Sequence, residues 1–138
     1  MKIFVDTNIL LDVLTKREPF YERAAILWSL VEKGILTGYV SAISVNNVFY
    51  IAKKLNDLGY AQGLVDKILK DFQIVTLDYE ILKLSRTIPN RDYEDLIQYF
   101  SAIKSGSNYL ITRNKKDFPE TGIELLDPQK FLTLFIRE

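Results

Sequence analysis

Acidic residues lie at the starts or ends of several segments of this chain, where side chains often perform chemistry. Asp6 directly follows an apolar run, Asp92 and Asp95 are three residues apart at the start of a helical pattern, and Asp117 closes a polar, basic turn. Carboxylates that gather in one place bind hard cations such as Mg²⁺ and Mn²⁺, which prefer oxygen ligands. The candidate chemistry is therefore metal-assisted, provided that the fold brings these segments together.

The composition excludes most other catalytic chemistries. The 138 residues include no histidine and no cysteine. This absence excludes Ser-His-Asp and Cys-His nucleophilic systems, and it excludes zinc sites that contain histidine or cysteine. Carboxylate, amide, hydroxyl, lysine and arginine groups remain, and this inventory favours hard-cation chemistry.

Length, apolar content and charge set further limits. A chain of 138 residues with 48% apolar residues predicts a single domain over residues 1–138. Eighteen basic and eighteen acidic residues give a net charge of zero, so phosphate binding must be local or depend on a metal. The N-terminal apolar run ends at Asp6, too soon for a signal peptide, and no run is long enough to cross a membrane. We therefore expect a cytoplasmic protein without a membrane segment.

Short apolar runs alternate with helical patterns, which is typical of a parallel α/β sheet. We predict a three-layer α/β domain whose central sheet is mainly parallel, has about five strands and is flanked by helices. The predicted strands are 3–5, 37–40, 74–76, 109–111 and 124–126. The predicted helices are 10–14, 20–33, a third capped by Ser44 that ends before Gly59, 61–70, 79–86, 93–105 and 129–135.

The topology of such a sheet decides whether the candidate residues meet. Ligands bind beyond the carboxyl ends of parallel strands, where the strand order reverses. Asp6 follows the first predicted strand, and Thr112, Asn114 and Asp117 follow the strand 109–111. If the order reverses between these two strands, all four residues lie in one crevice.

Each acidic segment also has an ordinary structural explanation. Asp6 is compatible with a simple turn into the next helix. Asp92 is a good helix N-cap, with Glu94 and Asp95 in the first turn, where carboxylates favour the positive end of the helix dipole. The spacing of three nevertheless places Asp92 and Asp95 on one helix face. The segment 112–118 is compatible with a surface loop.

Four short motifs in order resemble the PIN domain, a metal-dependent ribonuclease fold found in many VapC-type toxins of toxin–antitoxin pairs. The resemblance spans nearly the whole chain. The motifs are Val5-Asp6-Thr7-Asn8, Ser41-Ala42-Ile43-Ser44, Asp92-Tyr93-Glu94-Asp95 and Thr112-Arg113-Asn114-Lys115-Lys116-Asp117-Phe118.

The resemblance implies a Mg²⁺- or Mn²⁺-dependent endoribonuclease that hydrolyses RNA phosphodiester bonds. By the resemblance, Asp6, Asp95 and Asp117 are the catalytic acids and metal ligands, with Asn114 close by. We add Asp92 as a further candidate ligand of the metal. Supporting positions are Thr7, Asn8, Asn47 and Thr112. Arg113, Lys115 and Lys116 are predicted to contact RNA phosphates, although a merely solvated turn is an equal alternative.

The sequence departs from the family pattern at Asn47. Family members usually present a glutamate on the helix after the Ser-Ala-Ile-Ser stretch, and that position is Asn47 here. An amide oxygen still interacts with a cation or its water, but the site loses one negative charge. Our hypothesis is that the carboxylate of Asp92 supplies the negative charge that is missing at Asn47.

Other classes of function fit less well or remain open. An aspartyl-nucleophile phosphatase needs a second aspartate at the position of Asn8, a receiver domain needs a different order of motifs, and the glycines of a nucleotide-binding loop are missing. A PIN-like module that binds RNA or a protein without cleaving stays open because of Asn47.

The resemblance also implies partners: an antitoxin that covers the acidic site, and a second copy of the chain in a homodimer. Aromatic residues are enriched at protein interfaces, and this chain has several beyond the predicted core stripes. They are Phe20, Tyr21, Tyr50, Tyr60, Tyr93 and Tyr99. Ordinary packing is the alternative explanation for them.

Overall fold

A five-stranded parallel sheet forms the centre of the molecule. The structure is a computed structural model that describes residues 1–137, so that residue 138 of the predicted domain lies outside the described part. The strands are β1 (Lys2–Val5), β2 (Thr37–Ser41), β3 (Gln73–Val75), β4 (Tyr109–Ile111) and β5 (Glu124–Leu126). All neighbouring strands pair in parallel, in the order β3-β2-β1-β4-β5. The predicted α/β class and the five predicted strands are confirmed, with shifts of one residue at some ends.

Seven α-helices connect and cover the strands within the described residues. They are α1 (Thr7–Leu14), α2 (Tyr21–Glu32), α3 (Ala42–Leu55), α4 (Leu58–Asp71), α5 (Tyr79–Leu84), α6 (Tyr93–Ser105) and α7 (Pro128–Arg137). A short 3₁₀ helix (Lys115–Asp117) follows β4. Throughout the described chain, no helix is both long and apolar enough to cross a membrane.

The predicted cap of α3 is wrong. Ser41, not Ser44, caps this helix, because its hydroxyl accepts a hydrogen bond from the backbone N–H of Ile43 at 3.2 Å. The helix therefore begins three residues earlier than expected. Ser44 lies inside its first turns, where its hydroxyl is buried and available for contacts with other elements.

The helices lie on both faces of the sheet, as the pattern of β1 requires. Side chains alternate between the faces of a strand, and β1 is buried on both. Ile3 and Val5 pack into a core with residues of α1, α2, α4 and α7, whereas Phe4 packs into a second core with residues of α5 and α6. The sheet is thus the middle layer of three.

The strand order reverses at β1. This strand lies between β2 and β4, and the chain crosses from β3 at one edge to β4 on the other side of β1. In the β1–β4 register Val5 is opposite Ile111. Asp6 and Thr112, the next residue after each strand, therefore leave the sheet side by side.

The packing around β2 yields a test of this arrangement. A Cβ atom on Gly38 would lie 2.8 Å from the Phe72 ring and from Val31, whereas one on Gly63 in α4 would meet nothing within 4 Å. We expect Gly38→Ala to lower the free energy of unfolding by about 1–3 kcal/mol through overpacking. Gly63→Ala should raise it by about 0.5–1 kcal/mol through helix propensity. Urea unfolding measures both, and equal effects of the two changes would contradict the packing described.

Candidate metal and active site

Asp6 is a buried carboxylate held between two strand ends. Its side chain is only 5% exposed, its backbone N–H donates to the carbonyl of Ile111 at 3.1 Å, and the Thr112 hydroxyl donates to its Oδ2 at 3.0 Å. Burial raises the pKa of Asp6 to about 6, and the hydrogen bond from Thr112 opposes this rise. The side chain therefore contacts the neighbouring strand end rather than serving only the local turn into α1.

Asp95 lies among other carboxylates at the start of α6. Burial is the largest cause that raises its pKa to about 7, followed by the negative charges of Asp92, Asp6, Asp117 and Glu94. These charges come from three separate segments of the chain, so the segments do converge. A carboxyl surrounded in this way retains its proton near neutral pH unless a cation relieves the repulsion.

Asp92 caps α6. Its Oδ1 accepts a hydrogen bond from the backbone N–H of Asp95 at 3.0 Å. The structural role that the sequence suggested for Asp92 is therefore present. Oδ1 is engaged by the helix, and Oδ2 remains available to solvent or a ligand.

Asp117 belongs to the same cavity as Asp95. The cavity is open, and its walls also include Asp92, Asn90, Arg91 and Lys116. Asp117 is exposed at the end of the 3₁₀ helix. The sequence analysis did not identify Arg91, whose guanidinium donates to the carbonyl of Lys116 at 3.4 Å. Basic groups thus stand at the rim of an acidic cavity.

Asn114 supports the loop after β4. Its backbone N–H donates to the Thr112 hydroxyl at 3.1 Å, and its carbonyl accepts from the backbone N–H of Asp117 at 2.9 Å. Thr112 is fully buried. Its hydroxyl therefore joins Asp6 to the loop that carries the late acidic residue.

A buried polar network fixes the helices behind Asp6. The hydroxyls of Thr7 and Ser44 are 2.6 Å apart, and Nε2 of Gln98 donates to both, at 2.9 Å and 2.8 Å. All three side chains are buried, so each bond is costly to lose. Asn8 lies beside Thr7 in the first turn of α1 and is half-buried. Sequence reasoning missed Ser44 and Gln98, because only the packed helices bring them together.

Asn47 forms a contact with α6. Its Nδ2 donates to Oε1 of Glu94 at 2.7 Å. The sequence suggested Glu94 only as an acidic residue in the first turn of this helix, yet its charge is among the causes that raise the pKa of both Asp6 and Asp95, after burial. The sequence signal was available in part, since Glu94 and Gln98 are four residues apart and share a helix face.

Arg113, which the sequence suggests as an RNA contact, forms an ion pair within the chain. Its Nε and one terminal nitrogen donate to the two carboxylate oxygens of Asp12 at 2.8 Å and 3.0 Å, and the Phe20 ring lies 4.0 Å from the guanidinium carbon. Asp12 is fully buried. Arg113 therefore joins the loop after β4 to α1, and two of its three guanidinium nitrogens are engaged by Asp12. Lys115 and Lys116 are exposed.

Several of the surplus aromatic side chains have partners within the chain. Tyr99 is buried and packs edge-on against Phe100, and the Tyr60 and Tyr93 hydroxyls donate to backbone carbonyls. Tyr50 remains 57% exposed. Ordinary packing thus explains Tyr99, and Tyr50 is the strongest candidate for an interface.

The carboxylate oxygens of this site are the type of ligand that Mg²⁺ and Mn²⁺ prefer. Among residues 1–137, no group of three or more acidic side chains is already arranged to hold a metal ion. Mg²⁺, however, keeps several waters and commonly uses only one or two protein carboxylates. Asp6 and Asp95 provide two such carboxylates, and the charge of Asp6 is among the causes that raise the pKa of Asp95, after burial and the Asp92 charge.

The crowded carboxylates lead to a prediction about pH. The folded protein holds protons on Asp6 and Asp95 to about pH 6 and 7, against an ordinary value of 3.8. Since the unfolded chain releases these protons earlier, the free energy of unfolding without metal should fall as pH rises from about 4 to about 7. Asp95→Asn should flatten this slope and stabilise the protein by about 1–2 kcal/mol at pH 8, given the partial exposure of the site. Urea unfolding in EDTA at several pH values measures this.

Asp66→Asn, an exposed change on α4, is the control and should leave the slope unchanged. A wild-type stability that increases from pH 5 to pH 8 would contradict the electrostatics of the site.

The buried ion pair generates a second prediction. Asp12→Asn leaves Arg113 without its charged partner, and breaking a buried pair of this kind should cost about 3–5 kcal/mol. Replacing both partners, Asp12→Leu with Arg113→Met, should recover much of that loss, because an apolar pair leaves no uncompensated charge. Chemical denaturation compares the variants. A loss below about 1 kcal/mol for Asp12→Asn would show that the pair does not anchor the loop.

The chain was compared with known proteins. The family model of the PIN domain matches residues 2–116, which include Asp6, Asn47, Glu94 and Asp95. No curated protein matches.

Solved structures with similar folds are VapBC complexes and a VapC toxin. VapBC2 from Rickettsia felis, bound to a promoter DNA fragment, has a TM-score of 0.64 and 21% identity over 92% of this chain and 98% of that chain. DNA-bound VapBC from Salmonella typhimurium has a TM-score of 0.66 and 17% identity over 93% and 98%. VapC20 from Mycobacterium tuberculosis, described as a toxin that cleaves the sarcin-ricin loop, has a TM-score of 0.64 and 13% identity over 86% and 91%. At these identities the likeness shows the fold.

With carboxylates at the reversal point of a five-stranded parallel sheet, a family match over residues 2–116 and the fold shared with VapC chains, this protein belongs to the PIN domain family.

Proposed function

We propose that this protein is a divalent-metal-dependent endoribonuclease and the toxin of a toxin–antitoxin pair. The observation that carries the proposal is the position of Asp95, whose pKa is raised by burial and by the charges of Asp92, of Asp6 after β1 and of Asp117 after β4. Three distant parts of the chain contribute negative charge to one place. Crowded carboxylates are unfavourable unless a cation is bound.

The residues of the site divide into distinct roles. Asp6 and Asp95 hold the ion, and Asp117 and Asn114 hold its waters or a second ion. A bound divalent cation supplies positive charge that lowers the pKa of a coordinated water and stabilises the negative phosphate oxygens. Thr112 keeps the Asp6 carboxylate in place through their 3.0 Å hydrogen bond.

Basic residues at the rim bind the phosphates that flank the cut. Arg91 and Lys116 line the same cavity as Asp95, and Lys115 is exposed beside them. A chain with zero net charge needs such local groups to attract RNA. Arg113 acts on this surface only indirectly, through its pair with Asp12.

The partners follow from the comparison. The similar structures from Rickettsia felis and Salmonella typhimurium are VapBC complexes. For this chain we propose an antitoxin that presents an arginine or lysine to the carboxylates, a homodimer, and action in the cytoplasm.

Two features of the site favour a second candidate function, binding without cleavage. Asn47 replaces the acid that the PIN resemblance leads one to expect, and no metal-ready acidic group stands among the described residues. These features fit a module that binds RNA or a protein partner without cleaving it.

Cleavage of a mixed, structured RNA separates the two candidates. The protein is incubated with Mn²⁺ or Mg²⁺, with and without EDTA, beside Asp6→Asn and the exposed control Asp66→Asn. Asparagine retains an acceptor for Thr112 but lacks the charge, so Asp6→Asn should fold and should cut at least ~100-fold more slowly. The control should cut like the wild type.

The result that would overturn the nuclease proposal is a folded wild-type protein that neither cuts RNA nor binds Mn²⁺ in calorimetry. Retained RNA binding in that protein would establish the non-cleaving module. Cutting that persists in EDTA would also contradict a metal-dependent mechanism.

A further inference from the structure

Helices α3 and α6 face each other through two polar contacts. Ser44 and Asn47 are three residues apart on α3, and Glu94 and Gln98 are four residues apart on α6, so each pair lies along one helix face. Ser44 accepts from Gln98 at 2.8 Å, and one turn further Asn47 donates to Glu94 at 2.7 Å. The face of α3 that carries Asn47 therefore packs against the start of α6.

The inner contact also fixes this pair of helices relative to Asp6. Gln98 donates to the hydroxyl of Thr7 at 2.9 Å, and Thr7 directly follows Asp6 in the chain. Glu94 lies one helical turn from Gln98 toward the start of α6, beside Asp95. The Asn47–Glu94 contact thus lies at the same end of α6 as Asp95, within a pair of helices that Gln98 joins to Thr7.

The electrostatics agree with this placement. The Glu94 charge raises the pKa of Asp6 after β1 and of Asp95 on its own helix. Glu94 therefore adds to the negative charge at the place where Asp6 and Asp95 meet.

The chemistry of an amide explains why Asn47 forms a favourable hydrogen bond with Glu94. An amide nitrogen donates a hydrogen bond to a carboxylate, whereas a glutamate in place of Asn47 would present a second negative charge to Glu94. The family pattern places a negative charge on α3, at the position of Asn47. Here the carboxylate is that of Glu94 on α6, at the other end of the hydrogen bond.

We propose that Glu94 is an additional acidic residue of the metal site and that Asn47 is its positioning residue. This inference rests on the proposed metal-dependent function. Glu94 would then supply negative charge beside Asp92, whose Oδ1 accepts the capping hydrogen bond of α6 at 3.0 Å and whose carboxylate lines the cavity with Asp95.

The first test measures Mn²⁺ binding to the full chain by titration calorimetry. Glu94→Gln retains an acceptor for Asn47 and removes only the charge, so Mn²⁺ should bind about 10-fold more weakly. Glu80→Gln is the matched control, since Glu80 is an exposed glutamate in the first turn of α5. It should leave the Mn²⁺ affinity unchanged.

The second test exchanges the two groups. Asn47→Glu combined with Glu94→Gln places the carboxylate on α3 and the amide on α6, so the same hydrogen bond forms in the opposite direction. This double variant should bind Mn²⁺ within about 3-fold of the wild type. Asn47→Ala alone leaves Glu94 without its donor and should weaken binding by less than Glu94→Gln does. A merely structural role for the pair would change thermal unfolding without metal but not the Mn²⁺ affinity.

Mn²⁺ binding to Asp95→Asn, measured in the same way, tests the metal site itself separately from the role of Glu94. If the wild type binds Mn²⁺, Asp95→Asn loses it and Glu94→Gln does not differ from Glu80→Gln, the metal site stands and the role of Glu94 is wrong. If the folded wild type does not bind Mn²⁺, the proposed function and this inference both fail. A double variant as weak as Glu94→Gln would show that Asn47 does not face the site.

Discussion

The parallel pairing of β1 with β4 is the constraint on which the site depends. It joins parts of the chain that are 106 residues apart, so that the Thr112 hydroxyl reaches the Asp6 carboxylate at 3.0 Å. Both strands are buried on both faces, and a slip of one residue would turn their side chains to the opposite layers. The two hydrophobic cores therefore set the register, and the register sets which polar residues leave the sheet side by side.

Buried polar contacts then transmit this register to the helices. Thr7, Ser44 and the amide nitrogen of Gln98 form hydrogen bonds between α1, α3 and α6, and Asp12 holds Arg113 after β4. Because an unpaired buried polar group is costly, each contact favours a single arrangement of its elements. The acidic residues proposed for the metal site are exposed or half-exposed, apart from Asp6, so their positions depend on the buried contacts behind them.

The sequence predicted the sheet well, because apolar strands that are buried on both faces stand out as short continuous runs. It also predicted that Asp6 and Thr112 would meet, since strand ends share one edge of the sheet. It failed where the answer depended on packed helices. Ser41 and Ser44 are both plausible caps by residue type alone, and nothing local to Arg113 indicates that Asp12, 101 residues away, will be its partner.

The contact between Asn47 and Glu94 illustrates a more general limit of motif reading. A motif assigns a charge to a position in the chain, whereas a cation responds to the charge at a position in space. Two facing helices can bring side chains from two different chain positions into contact, and a hydrogen bond of 2.7 Å joins Asn47 and Glu94 here. An amide at one position is therefore compatible with a full set of negative charges, because an amide both tolerates and orients a carboxylate at the other. The replacement of one acid in the motif is thus weak evidence for a lost site unless the facing residue has also been examined.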